Sequence, residues 1–84
     1  MRVPAALQNY TDGRSAVMAA GATLAEVFAD LDRQFPGLRF RVVDEQGQLR
    51  PHMRLFVGGA DRRALAYRLG DADEVVIVLA LSGG

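Results

Sequence analysis

The clearest pattern in the chain is an apolar face at helical spacing in the segment 23–35. Its members recur every three or four residues and are Leu24, Val27, Phe28, Leu31 and Phe35. Thr23 lies three residues before Glu26, which is the spacing of a capping box. Pro36-Gly37 then stops the pattern. The sequence therefore predicts one helix from Thr23 to Phe35.

A continuous apolar run from Val75 to Leu81 follows the predicted turn Gly70-Asp71-Ala72-Asp73. A run of this length bounded by turn residues predicts a strand in mid-sheet, covered on both faces and paired with a segment early in the chain. Strand alternation assigns Val75, Ile77 and Leu79 to the face towards the helix, because these are the larger residues. The opposite, outer face then receives Val76, Val78 and Ala80.

A second strand is predicted at Met53–Val57, where apolar and other residues alternate before Gly58-Gly59. Phe56 is out of phase with Met53, Leu55 and Val57. We therefore expect Phe56 to join Val76 and Val78 on the outer face, where an exposed apolar patch would form a docking site for a partner. The alternative is that Phe56 packs under a loop.

The remaining elements are predicted from weaker patterns. Segments Arg2–Asn9 and Arg14–Ala19 form a predicted hairpin around the turn residues Thr11-Asp12-Gly13. Leu38–Val43 has strand character, residues 44–48 form a loop, and Asp61–Leu69 is interpreted as a short helical turn. The expected architecture is α+β, with one main helix on a mixed sheet of about four to five strands.

Composition and charge exclude several classes of function. The 84 residues are enough for one domain, 1–84, whose core is too thin for an internal active-site cavity. Ten Arg balance ten acidic residues, so the basic surplus of a nucleic-acid-binding protein is absent. No apolar stretch reaches the ~20 residues that span a bilayer. Without Cys or a visible signal peptide, the expected location is the cytoplasm.

Side-chain chemistry gives no candidate active site. His52 is the only histidine and no Cys accompanies it, so no metal site is expected and His52 is assigned to a surface loop. Asp71, Asp73 and Glu74 lack the spacing of a calcium loop and are interpreted as a solvated turn. We therefore expect neither an enzyme nor a bound cofactor.

The last three residues, Ser82-Gly83-Gly84, are the remaining candidate for chemistry, as a flexible tail at 82–84. Glycine costs backbone entropy and contributes no packing, so two glycines after a buried strand need another explanation. A tail without side chains can pass through a narrow enzyme channel and bring the α-carboxylate of Gly84 to an activating site.

The helix, the Met53–Gly59 segment, and Gly70–Val75 leading to Leu81-Ser82-Gly83-Gly84 together resemble the ThiS/MoaD family of ubiquitin-like (β-grasp) sulfur carriers. The opening Val3–Leu7 with Thr11–Gly13, and the loop residues 44–50, resemble CysO and MoaD-like members most. The likeness covers nearly the whole chain, and the terminal Gly-Gly is its most informative motif.

The resemblance implies a cycle at the C-terminus. A MoeB/ThiF-like (E1-like) partner would use ATP to adenylate Gly84, the carboxylate would become a thiocarboxylate, and a second enzyme would accept the sulfur. Gly83 and Gly84 would be the reacting end, and Phe56, Val76, Val78 and Ser82 would bind partners. The acceptor pathway, whether cysteine, molybdopterin, thiamin or a secondary metabolite, stays open.

Two other functions stay open at this stage. One is a protein modifier that joins Gly84 to target lysines, and the other is an interaction domain with an idle tail. The chain contains no Lys, which either reflects a GC-rich genome or removes the ε-amines that could attack the activated terminus of another copy.

Overall fold

The computed structural model describes residues 1–70 and 73–79. In chain order they form a 3-10 helix at Ala5–Tyr10, helix α1 at Leu24–Gln34, helix α2 at Leu38–Val42, and strands β1 (Met53–Val57), β2 (Ala60–Asp61) and β3 (Val75–Leu79). The strand order is β2-β1-β3, and both pairs are antiparallel. None of the described helices has the length and apolar character needed to cross a bilayer.

One hydrophobic core joins the helices to one face of the sheet. Helix α1 contributes Leu24, Val27, Phe28 and Leu31, and the strands contribute Met53, Leu55, Val57, Val75 and Ile77, all of them buried. The burial of alternate strand residues confirms the predicted orientation of β1 and of the described part of β3. Removing this apolar surface from water is the main force that holds the layers together.

Helix α1 begins and ends as predicted. Its N-cap is Thr23, whose side chain accepts a hydrogen bond from the N–H of Glu26 at 3.2 Å. The Glu26 carboxylate accepts from the N–H of Ala22, one residue earlier than in the usual capping box. Two further N–H groups of the first turn donate to the carbonyls of Leu65 and Tyr67. The free N–H groups at the start of helix α1 therefore find acceptors in residues that precede strand β1 and in residues that follow strand β2 along the chain.

Strand β3 has neighbours on both sides, as the sequence predicts for a strand in mid-sheet. β1 lies on one side, and Arg2 forms a parallel bridge with Val76 on the other. The Arg2 N–H donates to Val75 at 2.8 Å, and its carbonyl accepts from Ile77 at 3.0 Å. With this parallel contact the sheet is mixed, although three strands are described instead of four to five.

The prediction of a strand at Arg2–Asn9 is wrong beyond its first residues. Pro4 has a φ of −69° and caps the 3-10 helix Ala5–Tyr10. Proline cannot donate to a ladder, and alanine has little preference for strands. The segment Arg14–Ala19 is also not a strand, because it pairs only at an antiparallel bridge between Ala16 and Arg2. The predicted turn at Thr11-Asp12-Gly13 is present.

The prediction of a strand at Leu38–Val43 is wrong as well, because helix α2 occupies Leu38–Val42. A strand would place residues 38, 40 and 42 on one face. Instead Leu38 and Val42 are buried at helical spacing, and Phe40 between them is 53% exposed. Packing thus overrides the β-branched and aromatic character of the segment. The loop predicted at residues 44–48 is confirmed, with Asp44 Oδ1 accepting from two of its N–H groups.

Of the short helical turn predicted at Asp61–Leu69, the described part of the chain shows one hydrogen-bonded turn at Leu65-Ala66, closed at 3.0 Å by the N–H of Tyr67 and the carbonyl of Ala64. On either side of this turn, Asp61 ends β2 and Arg68 forms an antiparallel bridge with Thr23. The carbonyls of Leu65 and Tyr67 accept hydrogen bonds from the start of helix α1. The spacing of Leu65 and Leu69 suggested a helix, but the two side chains are only half-buried against the core.

Asp30 fastens the segment before helix α1 to the helix itself. Its carboxylate accepts from the Arg33 guanidinium, from the N–H of Ala20 at 3.0 Å and from Gln34 at 2.9 Å. Gln34 also donates to the carbonyl of Met18. The hydrogen bond from Arg33, followed by that from Ala20, holds the pKa of Asp30 below its ordinary value of 3.8.

This arrangement predicts a pH-dependent contribution to stability. Because the folded pKa of Asp30 is lowered, its contribution is present at neutral pH and is lost as the pH falls through that lowered pKa, below 3.8. Asp30→Asn should therefore have a smaller free energy of unfolding than the wild type at pH 7, and the difference should shrink in acid. Urea titrations across this pH range measure it. Glu45→Gln, which removes an exposed loop carboxylate, is the control and should change little.

Candidate functional site

The outer face of the sheet is organised by the pairing of β1 with β3. Their register places Phe56 opposite Val76 and Arg54 opposite Val78. All four residues therefore point away from the face that packs on helix α1. Phe56, Val76 and Val78 are half-buried, whereas Arg54 is exposed. The structure thus brings together the three described residues that the sequence assigned to an outer apolar patch.

Phe56 does not lie in the core of the described structure. The buried residues of β1 are Met53, Leu55 and Val57, at 1%, 0% and 4% exposure. The ring of Phe56 stands on the other side of the strand, where its direct cross-strand neighbour is Val76. Val76 and Val78 are not fully covered, so the expectation of a strand covered on both faces is wrong for the described part of β3.

An ion pair borders this apolar patch. Arg54 Nη1 donates to Asp61 Oδ2 at 3.0 Å, and Asp61 is the β2 residue directly opposite Phe56. Both side chains are largely exposed, so the pair contributes about 0–1 kcal/mol to stability. The ion pair instead determines where the apolar patch ends, because it places charged groups along the β2 side of Phe56, Val76 and Val78.

Strand β2 is not among the elements predicted from the sequence, so the position of Asp61 beside Phe56 is not predicted either. The signal was present in Gly58-Gly59, which joins β1 to β2 as a two-residue turn with φ values of 58° and 87°. Positive φ at both central residues is the type I′ geometry that glycine allows and that suits a hairpin. From the sequence, Gly58-Gly59 predicts only the end of β1.

The end of β3 determines where the C-terminal segment starts. Leu79 is the last residue of β3 and pairs with Met53, the first residue of β1. Five residues of the sequence follow it, and five residues span at most about 18 Å. The predicted site residues Ser82, Gly83 and Gly84 lie outside the described residues, as do Ala80 and Leu81.

His52, assigned to a surface loop by the sequence, lies exposed in the turn that precedes β1. The turn is closed by a hydrogen bond of 3.0 Å from the N–H of Met53 to the carbonyl of Arg50. Asp73 accepts from the N–H of Gly70 at 2.7 Å and so forms part of the predicted turn at 70–73, of which residues 71 and 72 are not described.

Comparison with solved structures shows the same fold. CysO of Mycobacterium tuberculosis superposes with a TM-score of 0.89 at 30% identity, covering 95% of this chain and 96% of CysO. A complex of BexX and CysO from Amycolatopsis orientalis gives 0.90 at 29% identity, with 99% and 96% covered. SAMP1 from Haloferax volcanii gives 0.76 at 27% identity, with 99% and 94% covered. These likenesses confirm the predicted β-grasp fold.

Comparison of sequences gives the same relatives. The sulfur carrier protein CysO of Mycobacterium tuberculosis is 33% identical over 87 aligned residues, covering 98% of this chain and 94% of that protein. The profile of the ThiS family matches residues 1–84. Since the family match extends over the whole sequence, this chain belongs to the ThiS family.

Proposed function

We propose that this protein is a sulfur carrier that works through the carboxylate of Gly84. The observation that carries the proposal is the 33% identity, over nearly the whole chain, to proteins named sulfur carrier protein CysO. The Gly83-Gly84 ending is consistent with it, because the reacting group would then be the main-chain terminus. The protein is a carrier and co-substrate in this scheme, and the catalysis belongs to its partners.

The chemistry needs an activated carboxylate. A free carboxylate is a poor electrophile, so a partner of the E1-like type uses ATP to convert Gly84 into an acyl-adenylate, releasing pyrophosphate. A donor of sulfide-level sulfur then displaces AMP, which carries away one carboxylate oxygen, and leaves a thiocarboxylate. A biosynthetic enzyme accepts this sulfur, and water supplies the oxygen that returns Gly84 to a carboxylate. ATP is bound by the activating partner, and this scheme requires no cofactor on the carrier.

The outer apolar patch, formed by Phe56, Val76 and Val78, is the proposed docking surface for these partners. Aromatic and aliphatic side chains that are half-buried before binding become anchors when a partner removes the remaining solvent. The patch lies on the two strands whose paired ends, Met53 and Leu79, adjoin the C-terminal segment. We propose that a protein seated on it reaches Gly84 and that Ser82 contributes to the same contact.

A complex of a relative with a second protein supports the idea of a stable partner. CysO of Amycolatopsis orientalis was crystallised with BexX, and this chain covers 96% of the matched chain. We propose a corresponding partner for this chain, a sulfur-accepting biosynthetic enzyme. The chemistry leaves the acceptor pathway open, and the need for cellular ATP places the cycle in the cytoplasm.

The alternative of a protein modifier is not favoured. SAMP1, a small archaeal modifier protein, matches this chain with a TM-score of 0.76, compared with 0.89 and 0.90 for the CysO structures. Sequence identity in the same superpositions follows the same order, at 27% and 24% for SAMP1 and 30% and 29% for the CysO structures. The carrier function therefore has the stronger support.

The proposal predicts a specific mass change at the terminus. Incubation with an E1-like activating enzyme, ATP and a sulfur donor should raise the intact mass by the difference between one sulfur and one oxygen atom. Tandem mass spectrometry should locate the change at Gly84. A variant lacking Gly83 and Gly84 should show no change, although it melts at the same temperature. High-mass conjugates to other proteins, in place of the small mass increase, would support the modifier function instead.

The docking surface predicts that Phe56→Asp impairs activation without unfolding the protein. Loss of one buried anchor typically weakens an interface by about 2 kcal/mol, so we expect a KM for the activating enzyme roughly 30-fold higher. Stability should fall by about 1 kcal/mol or less, because the side chain is outside the core. Met18→Asp is the matched control, since Met18 is 87% exposed and precedes helix α1. Equal KM values for the two variants would contradict the proposed surface.

The absence of Lys predicts that added ε-amines are harmful. If amines capture the activated terminus, Arg14→Lys should form covalent dimers during activation, because Arg14 is exposed. Arg14→Gln provides the control, and gel electrophoresis with mass spectrometry detects an isopeptide link. If Arg14→Lys is activated without any such product, protection of the terminus does not explain the absence of Lys, and the GC-rich genome remains as its explanation.

A further inference from the structure

A basic surface lies beside the end of β3, separate from the outer apolar patch. It is a shallow depression lined by Phe40, Arg41, Arg50 and His52, which we call the basic cluster. Arg50 and His52 belong to the turn that leads into Met53, and Met53 pairs with Leu79. The basic cluster therefore adjoins the point from which the last five residues depart.

The basic cluster is held in place by contacts that leave its charge accessible. The Arg50 guanidinium lies 4.6 Å from the centre of the Phe40 ring, and its Nε donates to the Phe40 carbonyl at 2.8 Å. This stacking fixes the plane of the guanidinium, while its two terminal nitrogens donate to no acceptor in residues 1–70 and 73–79. Arg63 holds the turn from behind by donating to the carbonyls of Leu49, Arg50 and Met53.

The charge of the basic cluster is not balanced locally. The ion pairs of the described chain use Arg2, Arg33 and Arg54, and none of them involves Arg41 or Arg50. None of the residues lining the depression is acidic. The whole chain has a formal charge of zero, so this local excess of positive charge is a property of one surface. Such a surface attracts an oppositely charged partner and orients its approach.

We propose that the basic cluster binds an acidic segment of the E1-like activating partner that adenylates the C-terminal end. This inference rests on the proposed carrier function. It adds that the partner surface opposite the basic cluster is negatively charged. The exposed Phe40 ring, packed on an arginine, is typical of protein interfaces, where aromatic residues and arginine are enriched. An inorganic phosphate site would more often gather backbone N–H donors around the anion, whereas this depression is lined by side chains.

The binding step is tested with a glutamate-rich peptide as the probe, followed by NMR of the intact protein. The amide signals of Phe40, Arg41, Arg50 and His52 should shift on titration, and high salt should abolish the shifts. The double variant Arg41→Glu/His52→Glu should lose them, because it removes one positive charge and puts two negative charges beside Arg50 at exposed positions. Arg14→Glu is the matched control and should retain them, because Arg14 is exposed and lies near Glu74, which precedes the other end of β3.

The same variants are then compared in the adenylation assay with an E1-like activating enzyme. Exposed ion pairs are worth about 0.2–1 kcal/mol each, so the double variant should raise KM on the order of five- to tenfold. Its kcat should be unchanged, because the inference assigns the basic cluster to docking and not to the reaction at Gly84. The dependence of KM on salt should be weaker for the double variant than for the wild type, and Arg14→Glu should match the wild type.

The possible results separate this inference from the carrier function. Peptide-induced shifts spread over the whole surface, or an unchanged KM in the double variant, would overturn the inference. Inorganic phosphate that shifts the same signals at lower concentration than the peptide would replace the acidic partner with a small-anion site and so also overturn it. Failure of the wild type to be activated at all would contradict the carrier function, and the peptide titration would still decide whether the basic cluster binds acidic chains.

Discussion

The antiparallel pairing of β1 with β3 is the constraint on which the functional surfaces depend. Its register joins Met53 to Leu79 at one end and Val57 to Val75 at the other. Because side chains alternate along a strand, a slip of one residue would turn every side chain to the opposite face. Phe56 would then enter the core and Leu55 would face solvent, so burial of Leu55 at 0% exposure fixes the register.

The rest of the fold secures this strand pair from both sides. Arg2 bonds to β3 on the side away from β1, so β3 has a neighbour along each edge near Val76. Helix α1 covers the inner face, and its first turn donates to the carbonyls of Leu65 and Tyr67. Gly21 permits a close approach here, since a Cβ atom on it would lie 2.6 Å from the Val27 nitrogen. Within residues 1–70 and 73–79, these contacts leave the outer face as the side of the strand pair that no helix covers.

The sequence predicted the elements whose pattern and burial agree. The amphipathic spacing and capping residues gave helix α1 to within one residue at each end, and alternation gave β1. Prediction from the sequence failed for short segments whose conformation depends on contacts with residues far away in the chain. Leu38–Val42 has the composition of a strand, but Leu38 and Val42 are buried while Phe40 between them is exposed, which a helical turn allows and a strand does not. The carbonyls of Leu65 and Tyr67 serve a helix 40 residues earlier, which no local pattern around them reveals. The outer face was predictable because it follows from strand period alone, whereas the basic cluster combines two separate segments, helix α2 and the turn before β1.

A carrier whose reacting group is its own main-chain end needs side chains for recognition alone. This explains why a domain without Cys, and with a single exposed His, can take part in group transfer. The apolar patch and the basic cluster then have different physical tasks. Apolar contact supplies most of the binding free energy once water is removed, whereas charge acts over a longer range and sets orientation during approach. The two surfaces lie on either side of the Met53–Leu79 pair, because Arg50 and His52 precede Met53 and Phe56 follows it on β1. A partner that contacted both surfaces, as proposed, would be held in one orientation relative to the end of β3.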